Sequence, residues 1–116
     1  MTTDNITDWL TYSHELVTEL LADGSNPDAY HVIEHHFASN DFDVLEKMAV
    51  TAFKLGYDVG EPEEAILDNG DKIFAFDIVT EQLLDLSIIE NEVRKMSDLA
   101  KQCKVDYDGW GTYFEE

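Results

Sequence analysis

Apolar residues recur along this chain in two rhythms. Ile6, Trp9, Leu10, Leu16, Val17, Leu20 and Leu21 return mostly at three- and four-residue intervals, which places them on one face of a helix. Gly24 follows as a stop, so a first helix is predicted over residues 6–22. A second helical run, Leu45, Met48, Ala49, Ala52 and Phe53, forms a predicted buried face. Asn40 and Asp43 can cap its start by accepting from free first-turn amides, and Gly56 ends it. A third run, Ile89, Val93, Met96, Ala100 and Cys103, lies behind Ser87 and Glu90, which have the spacing of a capping box.

Elsewhere the pattern is that of extended chain. After the turn-forming "DGSNPDAY", the stretch "AYHVIEHHFA" reads as a strand. Tyr57 to Leu67 is extended but broken by Gly60 and Pro62, and proline, which has no N–H to give, belongs on a sheet edge. Asn69 and Gly70 predict a two-residue hairpin turn with both residues at positive φ. "KIFAFDIVT" is apolar on both faces and reads as a central strand. The closing "VDYDGWGTYFEE" supplies the last strand.

Setting the first helix aside, the order is β α β β α β. The predicted fold is α+β: a ferredoxin-like split βαβ with a four-stranded antiparallel sheet, preceded by an extra N-terminal helix, in one domain over residues 1–116. The first and third strands are then central, and the closing strand is an edge beside "VIEHHF".

That closing edge is rich in aromatics. Strict alternation sends Tyr107 and Tyr113 to one face and Trp110 and Phe114 to the other, unless a bulge at Asp108 and Gly109 changes the frame. Trp110 between two glycines is either an exposed anchor or a cover for the sheet edge. The candidate partner-binding residues are Tyr107, Asp108, Trp110, Tyr113, Glu115 and Glu116. The carboxylates around the aromatics also guard the edge against pairing with another chain.

Charge changes the picture most. Seven Lys and Arg face 26 Asp and Glu, a formal net charge of −19. Such a surface repels phosphate backbones, which excludes direct nucleic-acid binding and leaves either a solubility charge or a partner rich in Arg and Lys. Cys103 is the only cysteine, so no intramolecular disulfide and no cysteine-based zinc site can form. No basic segment precedes an apolar one at the N-terminus, and no apolar run is long enough to span a bilayer. These features predict a soluble cytoplasmic monomer with no membrane contact.

His31, His35 and His36 invite a metal reading, which strand geometry weakens. His31 and His35 share a face about 13 Å apart, while His36 points the other way. Glu34 and His36 share the second face at about 7 Å, so a neighbouring carboxylate could complete a site there. Cys103 lies on an apolar helical stripe with no base in sequence reach. No cofactor fingerprint is present, because the glycines of "DGWG" do not open a helix after a strand.

"IEHH", "LEKMAVTAFKLGYDV" and above all "VDYDGWGTYFE", in that order between Leu20 and Glu116, resemble the regulator of ribonuclease E activity B (RraB) family. The resemblance implies a cytoplasmic bacterial protein that has a ferredoxin-like fold and no enzymatic activity or cofactor. It also implies a partner: the basic, Arg-rich scaffold region of ribonuclease E, whose RNA cleavage and degradosome composition the protein would modulate. The family pattern continues into a strongly acidic tail, and this sequence departs from it by stopping at Glu116. Two other readings stand beside this one. One is a small metal-dependent hydrolase using Glu34 and His36; the other is a general acidic nucleic-acid mimic that binds several basic proteins.

Overall fold

The computed structural model describes residues 6–113. The order is α1 (Ile6–Ala22), β1 (Tyr30–Ser39), α2 (Phe42–Lys54), β2 (Asp58–Val59), β3 (Glu63–Ile66), β4 (Lys72–Leu83), α3 (Leu86–Cys103) and β5 (Asp106–Gly111). This is the ferredoxin-like α+β arrangement with an N-terminal helix. The sheet is antiparallel in the order β2-β4-β1-β5, and β3 pairs with the other end of β4.

The predicted second strand is two short pieces, so the sheet has five strands where four were expected. The Gly60 amide still reaches the Asp77 carbonyl at 2.9 Å, but the pairing then lapses across Glu61 and Pro62. The turn before β4 also differs from expectation. Gly70 alone takes positive φ, and the Leu67 amide bonds the Asp71 carbonyl, which makes a three-residue loop. Asn69 does not need the left-handed region; its side chain accepts from the Asp71 amide.

Both predicted helix caps move. Asp41, neither Asn40 nor Asp43, has the extended backbone that lets its carboxylate accept from the Asp43 and Val44 amides. Asp85 does the same for Ser87 and Ile88 at the start of α3, so Ser87 donates to the cap and Glu90 plays no part in it. The Ser87 hydroxyl, followed by the Ile88 amide, holds the Asp85 carboxyl below its ordinary range.

All three helices cover the same face of the sheet. On β1 the covered positions are His31, Ile33, His35, Phe37 and Ser39, which are buried; the intervening residues are not. Phe37 stacks on Phe76, and Leu45, Met48, Ile78, Ile89, Val93 and Met96 complete a closed apolar layer. Phe53 lies outside it at 70% exposure, a correction to the predicted α2 face. Leu45, Met48, Ala49 and Ala52 already point α2 at the sheet, and Phe53 falls about 100° round the helix from Ala52.

Candidate functional site

The closing motif is where the sequence pointed, and the structure divides it. Between the Phe37–Tyr107 and His35–Trp110 pairs β5 uses one residue more than β1, a bulge at Asp108 and Gly109. The extra residue puts Tyr107 and Trp110 on the same, covered face, where both are buried. Of the two readings of Trp110, the structure therefore takes the cover for the sheet edge and not the exposed ring.

The two rings join β5 to α1. Trp110 Nε1–H donates to Ser13 Oγ at 2.8 Å, Ser13 donates to the Trp9 carbonyl, and Tyr12 donates to the Trp110 carbonyl. Trp9 meets Tyr107 edge-on, with centroids 5.5 Å apart. Gly109 has φ +90°, and a Cβ there would come within 2.7 Å of the Trp9 ring, so both backbone and space demand glycine.

A second polar constellation, which sequence reasoning missed, lies between α3 and the covered face of the sheet, with His35 fully buried and Thr80 and Gln82 part-buried at its edge. His35 Nε2 lies 2.7 Å from Glu92 Oε1, Thr80 donates to the same oxygen, and Gln82 donates to Glu92 Oε2 at 2.6 Å. Tyr107 approaches His35 Nδ1 at 2.9 Å. A neutral ring protonated at Nε2 satisfies both contacts, donating to Glu92 and accepting from the Tyr107 hydroxyl. Burial works to raise the Glu92 carboxyl, but the bonds from His35, Thr80 and Gln82 outweigh it and hold the group below its ordinary value. Burial, with the Glu92 charge nearby, pushes the Tyr107 hydroxyl far up. His31 is likewise satisfied, by Ser25 and the Ala29 carbonyl. These groups look catalytic by type, yet their polar atoms are spent on each other.

The uncovered face offers different chemistry. Register places Val32, Glu34, His36 and Ala38 of β1 opposite Glu81, Val79, Asp77 and Ala75 of β4. Asp58 and Glu63 join them from β2 and β3, and Asp106 from β5. Asp58, Glu63, Glu81, Asp106 and Asp108 are exposed. His36 and Asp77 pair at 2.8 Å with both side chains near 40% exposure. The exposed Tyr113 donates to Glu34 at 3.1 Å, and that bond holds the Tyr113 hydroxyl above its usual range. Thr112, bonded to the Val32 carbonyl at 2.6 Å, ties this end of the chain to β1.

Among the described residues no Lys or Arg stands on this face. Lys47 and Lys54 are on α2; Arg94, Lys95 and Lys101 are on α3, which Lys104 caps; Lys72 shares the covered-side parity and lies near Glu64. The basic groups thus sit on the helix side and at the sheet ends, so the Asp and Glu of the open face, set among Val32, Ala38, Ala75 and Val79, have no Lys or Arg beside them.

Of the predicted partner-binding residues, the structure leaves Asp108 and Tyr113 exposed and buries Tyr107 and Trp110; Glu115 and Glu116 lie outside the described residues. Glu34 and His36 do share a face, but Tyr113 engages one and Asp77 the other. Among the described residues no three His, Cys, Asp or Glu side chains gather as a metal site would require.

Comparison with known proteins decides the lineage. The family described as Regulator of ribonuclease activity B matches residues 11–112. The chain belongs to this family. A relative named Regulator of ribonuclease activity B from Colwellia psychrerythraea is 60% identical over the full length of both chains. Another so named, from Pseudoalteromonas translucida, is 52% identical over 93% of this chain and 97% of its own. One from Salmonella typhi is 50% identical over 87% of this chain and 73% of its own. Family membership gives the open acidic face its context, because proteins so named are described by an effect on a ribonuclease. Among the described residues, no helix is long and apolar enough to cross a membrane.

Proposed function

We propose that this protein is a non-enzymatic regulator that binds the basic, Arg-rich scaffold region of ribonuclease E and thereby restrains its RNA cleavage and alters the composition of the RNA-degrading complex. The observation that carries the reading is the uncovered sheet face, where Glu34, Asp58, Glu63, Asp77, Glu81 and Asp106 stand without a Lys or Arg among them. A cationic segment crossing it meets carboxylates contributed by all five strands, whose attraction speeds encounter and makes it salt-sensitive. Asp108 and Tyr113 extend the contact at the rim, with Glu115 and Glu116 following in sequence; Tyr107 and Trp110 serve it indirectly, by holding β5 in place. The same potential turns nucleic acid away, so the protein acts in the cytoplasm on the enzyme and not on its RNA.

Titration of a ribonuclease E scaffold fragment against the protein at rising salt tests this. Binding at low salt that weakens steeply as salt is added is the expected result. Absence of binding at low salt would falsify it, and equal binding to many unrelated basic proteins would favour a general acidic mimic instead.

A further inference from the structure

On the helix-bearing side of the molecule, α2 and the β2–β3 connection leave an apolar groove between them. Its volume is about 430 Å³, and its lining includes Phe42, Val50, Phe53, Val59 and Pro62. Phe53 is 70% exposed, Val50 46% and Phe42 39%, so side chains that would normally be covered line an open trough. Glu46 and Glu61 are the charged residues in its lining.

Gly60 and Glu61 also line a notch that opens beside Glu63 and Asp77, residues of the uncovered acidic face. The break between β2 and β3 therefore joins the two surfaces. Glu61 and Pro62 drop out of the pairing there, and a chain lying on the acidic face could pass over this edge toward α2.

We propose that this groove receives the apolar anchor of a cationic polypeptide: one aromatic or two aliphatic side chains, adjacent in the partner's sequence to the Lys or Arg residues that lie on the sheet face. Two arguments select this occupant. The groove's charged lining is acidic and is continuous with an acidic surface, so flanking cations on the partner are complementary to it. A second copy of this chain is the poorer fit, because two bodies of net charge −19 repel each other. The assignment rests on the ribonuclease E reading for the partner's identity. It adds what charge alone does not supply, a desolvated short-range contact that slows dissociation.

The test measures affinity for the ribonuclease E scaffold fragment across a salt series with three proteins: wild type, Val50→Ser/Phe53→Ser, and Phe53→Leu. The double variant should bind at least about tenfold more weakly at every salt concentration, with the slope of log Kd against log salt unchanged; Phe53→Leu should recover most of the loss. Phe53→Ser alone gives the same comparison if the double variant does not fold. A double variant within twofold of wild type overturns the groove and leaves the acidic-face reading intact. Failure of the wild type to bind at low salt overturns both. Wild-type self-association abolished by the double variant assigns the groove to a second copy and overturns the proposal.

Discussion

His35 and His36 are consecutive on β1, yet they belong to different environments. His35 is fully buried between Tyr107 and Glu92, each of its ring nitrogens engaged. His36 is half-exposed, paired with Asp77 on a surface of carboxylates. The same contrast runs the width of the sheet. The covered face spends its polar groups on one another and gains rigidity; the open face leaves carboxylates in water, where each contributes little to folding and remains available to a partner. Abundance of acidic residues says nothing about which of them matter, whereas the face they occupy does.

The comparison is broken most sharply by Trp110→Ala. Removing this ring empties the seam between α1 and β5 and takes away the hydrogen bond that Ser13 accepts, and a loss of about 3–5 kcal/mol is expected in denaturant unfolding. A change in binding at unchanged stability would show instead that Trp110 acts on the partner directly.

Next in size is Glu92→Gln, which sets an amide against donors from His35, Thr80 and Gln82 and should cost about 1–3 kcal/mol near neutral pH. Because folding lowers the Glu92 pKa, its ionised form stabilises the native state above the ordinary value of 4.5, and the contribution fades as pH falls through the lower folded value. Thermal melts should therefore show the gap between wild type and Glu92→Gln narrowing below pH 4.5. A gap that is constant with pH would mean that the carboxylate's charge is not what the network holds.

The smallest effect on folding, and the largest contrast with function, is expected from Glu34→Gln/Asp77→Asn/Glu81→Gln. Stability should stay within about 0.5 kcal/mol of wild type per substitution. Association with the scaffold fragment at low salt should slow about tenfold, with a shallower salt dependence, as stopped-flow mixing would report. Equal association rates would remove the open face from the proposed function.

Helical periodicity was enough to place α1 over residues 6–22, and the β α β β α β order, read as a split βαβ, put the strands in the order the sheet has, with Pro62 marking the interrupted edge. The caps at Asp41 and Asp85 escaped because neighbouring polar residues, Asn40 and Asp43 at one helix and Ser87 at the other, could also serve, and only the backbone at the helix entrance selects one. Glu34 and His36 were legible as sharing a face, since strands alternate. That Asp77 lies opposite His36 was not, because strand register joins residues far apart in the chain. The Glu92 network was hidden for the same reason: His35, Thr80 and Glu92 lie on three different elements.

The sequence by itself determined the three helices, the order of helical and extended segments, the proline-marked edge and a large excess of negative charge, all properties of local spacing and composition. Only the tertiary structure decided that α1 joins α2 and α3 on one side, that the Asp108–Gly109 bulge turns Trp110 inward, and that a sheet face without Lys or Arg is left in water. Alternation along a strand defines two faces but does not say which will be covered. That choice belongs to side chains that meet only when distant segments pack, as Trp9 does with Tyr107 and Ser13 with Trp110.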